Sequence, residues 1–323
     1  MTTKPRHALP ILPLALALAG CSAREGLASD ELVLSDGTGA TAVVAPEAGG
    51  RVMAFHPAGT AGTRNVFWTN PLDDPTMAGW PNVGGEKTWI GPQSRWRGMA
   101  GKAWPPPAFF DRERYEIVHG ATNGAATIRS PAPPESGDCP FAVERAFSLA
   151  GGVLRVESRL VPARDAGAPA DADGFVAWSV AQTPHARRVA AQLAPPARFE
   201  NGTDGDSPLP EPATAGDGVL VFDLDALAVS NGNGKAYFDA DAIAAEFPDG
   251  TLVARRVPAP DDPDPASVPF PEHARAELYA GQLDDRPDLR YLEIEFTATG
   301  TRPLRVEYSF LPGVPCEEAI PRP

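Results

Sequence analysis

Between positions 80 and 96 the chain reads W-P-N-V-G-G-E-K-T-W-I-G-P-Q-S-R-W. Indole rings at Trp80, Trp89 and Trp96 stand beside Asn82, Glu86, Lys87, Gln93 and Arg95. This mixture suits a ligand with one apolar face and a rim of hydroxyls, which describes a sugar ring. An aromatic plane covers the C–H face. Amide, carboxylate and cationic side chains satisfy the rim, which would be costly to bury unpaired. Five of the six tryptophans (Trp68, Trp80, Trp89, Trp96 and Trp104) fall between positions 68 and 104, and the sixth is Trp178. The same rings could equally fold inward as the local core of a large loop, and the sequence leaves both readings open. Gly232, Asn233 and Gly234 form a turn signal ahead of Lys235, a further candidate for the same ligand. There is no G-x-S-x-G elbow, phosphate loop or dinucleotide fingerprint. The histidines His56, His119, His185 and His273 share no metal-site spacing. Two Asp-rich loops, 201–206 and 261–265, offer the oxygen donors that calcium prefers, but they match no defined calcium loop. Solvated acidic loops are the alternative, and no cofactor is expected.

The elements that must position these groups read as strands. Period-two and β-branched runs occur at 41–45, 51–56, 65–69, 114–118 and 125–129, and again at 175–182, 218–223, 251–256, 275–279, 290–297 and 303–310. The run 141–161 holds two long alternating segments around Ala150, Gly151 and Gly152. It predicts a hairpin, because glycine supplies the positive φ angles of a tight reversal. Long helical patterns are missing, and 239–247 fits two helical turns or a strand. Many short strands with proline-rich connections predict an all-β sandwich or barrel, in one domain over residues 31–323.

Composition narrows the partners. The chain has 323 residues and a formal charge of -14. That field disfavours nucleic acid, anionic surfaces and phosphorylated ligands. At the start, Lys4, Arg6 and His7 precede an apolar run from Ala8 to Ala19, too short to span a membrane. The run ends L-A-G-C at Cys21, which resembles the lipobox of bacterial lipoproteins. The resemblance implies a signal peptide over 1–20, a lipid on Cys21, a tether over 21–30 and, with Ser22 following, outer-membrane retention facing the periplasm or the cell surface. An ordinary cleaved signal is the alternative. Outside the cytoplasm the two remaining cysteines, Cys139 and Cys316, are expected to form a disulfide, with two free buried thiols as the other possibility.

Three motifs carry a wider resemblance. G-G-R-V-M-A-F (49–55), N-V-F-W-T-N-P (65–71) and W-P-N-V-G-G-E-K-T-W-I-G-P-Q (80–93) resemble a branch of the galactose-mutarotase-like superfamily. The hairpin 141–161, A-W-S-V-A-Q-T-P (177–184), Y-L-E-I-E-F (291–296) and P-L-R-V-E-Y-S-F-L-P-G (303–313) follow in that branch's order. The resemblance implies a β-supersandwich of large twisted antiparallel sheets with a sugar groove. Trp80, Trp89 and Trp178 would stack on the sugar, and Arg51, Asn82, Glu86, Lys87, Gln93 and Gln182 would hold its hydroxyls. Aldose 1-epimerases of the superfamily pair a late-strand glutamate with a mid-chain histidine, and a raised carboxyl pKa suits such a base. Glu293 matches the glutamate's place, with Glu295 on the same face of its strand. His185, just past a strand, is the candidate acid or else a surface residue. Arg305 and Glu307 share a face of the next strand and either line a groove or point outward. The expectation is a lipid-anchored envelope protein that binds a neutral carbohydrate. An aldose 1-epimerase-like mutarotase and a non-catalytic envelope scaffold are the alternatives.

Overall fold

The protein is described by a computed structural model over residues 30–60, 64–71, 80–164, 172–203, 207–225, 227, 233–283 and 286–321. The expected signal peptide over 1–20, Cys21 and nearly all of the expected tether lie outside these residues, as do Gly232 and part of the 201–206 loop.

Two large antiparallel sheets make up the architecture, with strands numbered in chain order. The first has nine strands. Their spatial order is β1 (Leu32–Ser35), β2 (Thr41–Ala45), β3 (Arg51–His56), β4 (Glu86–Gly91), β9 (Val176–Pro184), β18 (Arg286–Thr299), β17 (Ala276–Leu283), β14 (Gly234–Phe238) and β11 (Phe199–Asn201). The second has ten strands. It runs β12 (Ala213–Thr214), β13 (Val219–Asp223), β10 (Arg188–Leu193), β15 (Ala240–Phe247), β16 (Gly250–Val257), β19 (Leu304–Pro312), β8 (Val153–Pro162), β7 (Phe141–Ala150), β6 (Ala125–Arg129) and β5 (Glu116–Thr122). The segment 239–247, open between helix and strand by pattern, is β15 in the middle of this sheet. The predicted hairpin is β7–β8, turning at Gly151 and Gly152 with φ 60° and 76°. Both values lie in the left-handed region that such a turn requires. The expected strand 65–69 is an irregular segment, with one β-bridge from Thr69 to Gly84 and backbone hydrogen bonds from Val66 to the Phe55 carbonyl and from Trp68 to the Gln182 carbonyl.

The inner face of the nine-stranded sheet packs on the ten-stranded one. Val52, Ile90, Ala177, Ala181, Leu278, Leu292, Ile294 and Phe296 are buried in one core cluster with Phe141, Phe147, Val156, Val306 and Tyr308. Period two therefore divides β4, β9, β18, β17 and β14 into an inner set and an outer set, and the outer set carries the polar groups of interest.

The two cysteines correct one expectation. Cys139 and Cys316 are both buried and unpaired. Cys139 belongs to the main core, whereas Cys316 sits in a separate small cluster on the opposite face of the second sheet. Burial pushes both thiols up, Cys139 to about 11, so neither is poised as a thiolate.

Candidate functional site

The site is built on the outer face of the central strands. In the register, Lys87 of β4 lies opposite Val180 of β9, and Trp89 opposite Trp178. One strand further, Gln182 lies opposite Glu293 of β18, and Val180 opposite Glu295. Tyr279 and Glu277 of β17 follow, opposite Glu293 and Glu295, and then Lys235 and Tyr237 of β14. Directly opposed residues in an antiparallel ladder share a face. Residues far apart in sequence (Lys87, Gln182, Lys235, Glu277, Glu293 and Glu295) thus share one surface.

The contacts are closely made. Gln182 Nε2 donates to Glu293 Oε1 at 2.6 Å. Trp178 Nε1 donates to Glu295 Oε2 at 2.7 Å. Lys235 Nζ pairs with Glu277 at 2.6 Å and lies 3.5 Å from Glu295. Lys87 differs: it is fully buried, and its Nζ has no hydrogen-bond partner among the described residues. It stands 4.6 Å from the centroid of the Trp89 ring and 5.4 Å from that of Trp80, close enough for cation–π attraction. Gln182 Oε1 and both polar side-chain atoms of Asn82 are likewise buried without a partner among the described residues.

These environments shift the charges. Burial, reinforced by the Arg51 charge, lowers the Lys87 pKa to about 8, against the opposing pull of Glu293, Asp111 and Glu295. Burial raises that of Glu293, with Lys87 opposing and Glu295 adding. Glu295 is pushed up to about 7, mainly by burial, with Lys235 opposing and Glu277 adding. Burial also works against the charge on Lys235, yet Glu277 and Glu295 hold its pKa well above the usual lysine value. A carboxyl held toward its neutral form beside an amine held toward its own is an arrangement that can exchange protons near neutral pH.

Several expected residues take other places. Glu86 is adjacent to Lys87 on a strand and so points the opposite way. It is buried on the inner face, ion-paired with Arg145 and accepting from Ser179 Oγ at 3.1 Å. Arg51 is neither a groove wall nor solvated. It is buried and pairs with Asp111 at 2.8 Å, donating as well to the Gly84 carbonyl at 3.1 Å. Gln93 is exposed in a 3-10 turn over Gln93–Arg95. His185 sits beyond the end of β9, where burial and the Arg290 charge lower its pKa and Asp225 opposes them. Arg305 and Glu307 pair with Glu157 at 2.6 Å and Arg155 at 2.7 Å in a partly exposed ladder on the second sheet, facing outward. In the 261–265 loop, Asp262 is spent on Arg256 at 2.6 Å.

The tryptophans divide between buried rings and rings that reach solvent. Trp89, Trp96 and Trp178 are buried and pack mostly edge-on: Trp89 lies 5.4 Å from Trp96 and 5.2 Å from Trp178, at interplanar angles of 90° and 83°. They form a wall and not free stacking platforms. Trp80 is half-buried, and Trp104 is 49% exposed with its ring 5.1 Å from that of Trp80. The residue that sequence reasoning missed is Asp111, at the end of α2 (Ala108–Asp111). Its buried carboxylate accepts from Trp80 Nε1 at 2.6 Å and Trp89 Nε1 at 2.8 Å while pairing with Arg51. It holds the two rings that flank Lys87, and F-F-D-R carries no motif that would have found it. Glu277 and Tyr279 were legible only as alternate residues of a strand. The glycine pair of the motif has a steric role. Gly84 has φ +86°, and a Cβ there would lie 2.2 Å from the Trp68 carbonyl oxygen, so only glycine lets this segment close on residues 68–69.

The fold has solved counterparts. A candidate aldose 1-epimerase from Escherichia coli K12 superposes with a TM-score of 0.54 at 11% identity, over 87% of this chain and 98% of that one. A galactose mutarotase related enzyme from Lactobacillus acidophilus superposes with a TM-score of 0.53 at 10% identity, over 87% of this chain and 97% of that one. The fold is galactose-mutarotase-like. No family model matches the sequence, and no curated protein matches it.

Proposed function

We propose that the outer face of the nine-stranded sheet binds a neutral saccharide. The observation that carries this reading is that Lys87 Nζ and Gln182 Oε1, both buried without a partner among the described residues, share the face of the Glu293 carboxylate; the Asn82 amide, close by in sequence, is likewise buried and unpartnered among them. Buried polar groups are nearly always paired, and an orphaned set suggests a ligand that completes it. The hydroxyl rim of a sugar both donates and accepts, as this mixed set demands. Half-buried Trp80 and exposed Trp104 offer aromatic surface toward solvent. Titration of tryptophan fluorescence with a panel of neutral mono- and oligosaccharides tests the reading, because Trp80, Trp89 and Trp178 lie against Lys87, Lys235 or Glu295. A saturable change that Gln182→Ala weakens at least about tenfold is expected. No response to any saccharide, with an empty glycan array, would overturn it and favour an envelope scaffold.

A second reading, aldose anomer interconversion, is favoured by the raised pKa of Glu293. A carboxylate desolvated in this way is a competent base for an anomeric hydroxyl. Polarimetry of freshly dissolved aldoses separates it from simple binding.

The protein is further proposed to be lipid-anchored through Cys21 in the bacterial outer membrane, on the strength of L-A-G-C-S at 18–22. Labelling of the full chain with a palmitate analogue, lost in Cys21→Ala, is the expected result.

A further inference from the structure

We propose that Lys87, and not a histidine, is the proton donor to the ring oxygen of an aldose held on the outer face, acting opposite Glu293 as the base. The inference rests on the anomer-interconversion reading and adds to it the identity of the acid.

Three observations converge on Lys87. Its strand position places it on the same face as Glu293, with only β9 between their strands. Its amine is fully buried yet carries donors that no described residue accepts. The two indole rings beside it are themselves held by hydrogen bonds to Asp111, which fixes the aromatic side of its surroundings. A lysine kept only for structure would be expected to end on a carboxylate, as Lys235 does on the same face with Glu277 and Glu295. The ring nitrogens of His185 are also buried without a partner among the described residues, but His185 lies past the end of β9, beside Arg290, Leu224 and Asp225.

The charged groups acting on Lys87 come from every side. Arg51 on β3 repels its proton, whereas Asp111 on α2 and Glu293 and Glu295 on β18 retain it. The balance leaves an ammonium able to give up a proton near pH 8 and to take it back.

The step conserves atoms and electrons. Glu293 removes the proton of the anomeric hydroxyl, and the C1–O bond to the ring oxygen breaks. That electron pair goes to the ring oxygen, which takes a proton from Lys87 Nζ, leaving an open-chain aldehyde, a neutral amine and a protonated carboxyl. After rotation about C1–C2 the hydroxyl attacks C1 from the other face. It returns its proton to Lys87 as the new anomeric oxygen takes one from Glu293. No oxidant, reductant or metal is consumed.

The test is the pH dependence of kcat/KM for anomer interconversion, followed by polarimetry in wild type, Lys87→Met, Lys87→Arg and His185→Ala, with thermal melts to confirm folding. The expected result is a wild-type rate that falls above pH about 8, as the donor is lost. Lys87→Met and Lys87→Arg should each lower kcat at least about 100-fold, since a positioned acid contributes that much. Lys87→Arg keeps the charge but does not readily release a proton. His185→Ala should stay within about twofold. A folded Lys87→Arg or Lys87→Met that keeps both the rate and the high-pH fall overturns the assignment while the anomerisation reading stands. Wild type that accelerates no aldose, whether or not saccharide binds, overturns both.

Discussion

The two faces of the nine-stranded sheet handle buried charge in opposite ways. On the inner face, Glu86 meets Arg145, and neither is exposed at all. Ser179, Thr88, Ser158 and Tyr308 complete a polar patch sealed between the sheets, with Thr88 and Ser158 2.7 Å apart. On the outer face, Lys235 is paired, but among the described residues Lys87 has no partner, and Gln182 uses one end of its amide and not the other. A paired buried charge is part of the architecture. An unpartnered one is a cost that persists only where something else, such as a ligand or a reaction, uses it. The contrast separates Glu86, paired within the architecture, from its neighbour Lys87, which a ligand in the proposed site would complete.

The largest effect should appear on the inner face. Arg145→Met leaves the Glu86 carboxylate buried without a counter-ion, and urea unfolding should show a loss of about 3–5 kcal/mol. The double variant Glu86→Gln/Arg145→Met should recover most of it. A mild single variant would mean that the two faces are not distinct in this sense.

The outer face should respond with a pH-dependent gain. Glu295 has a folded pKa of about 7 against an ordinary 4.5. A raised carboxyl contributes stability that is fully present below 4.5 and lost as pH rises through about 7. Glu295→Gln mimics the protonated form. Its advantage over wild type should be near zero at pH 4, grow through pH 5–7 and level off above, reaching at most ~3 kcal/mol. The loss of the Trp178 contact to the carboxylate subtracts from it. A difference profile that is flat from pH 4 to 8 would show Glu295 to be ordinarily ionised. Next in size, Glu293→Gln should weaken saccharide binding by about 1.5–3 kcal/mol, the worth of a hydrogen bond to a charged group, and leave the melting temperature unchanged or higher. If it destabilises the fold as Arg145→Met does, the outer carboxylate is structural.

Most strands were legible because one face of each is apolar: β2, β3 and β6 fall where alternation put them, and Gly151–Gly152 marks its hairpin. The β4 strand was not, because all six of its residues are buried, so E-K-T-W-I-G shows no polar side to alternate with. Taken for a loop, it seemed able to present Glu86 and Lys87 to one ligand, which two adjacent strand residues cannot do. The grouping of Lys87, Gln182, Lys235 and Glu293 was partly legible through resemblance. Their shared face depends on Lys87 pairing with Val180, Gln182 with Glu293 and Lys235 with Tyr279, residues far apart in the chain, and no local pattern records that. Asp111 was invisible for a simpler reason: its partners Arg51, Trp80 and Trp89 are brought to it only by the folded chain.

The smallest effect belongs to a residue on neither face. Gln93 was grouped with the hydroxyl-binding side chains because it stands beside Trp80, Trp89 and Trp96 in one polar, aromatic stretch. β4 ends at Gly91, and Gln93 begins an exposed 3-10 turn that leads away from the sheet. Gln93→Ala should therefore shift stability by less than about 0.5 kcal/mol, as exposed substitutions usually do. Saccharide titration should be unchanged, whereas Gln182→Ala in the same assay is weakened. Should Gln93→Ala lower affinity as much as Gln182→Ala, the ligand would have to reach past the end of β4. The division into a sealed inner face and a receptive outer face would then describe only part of the site.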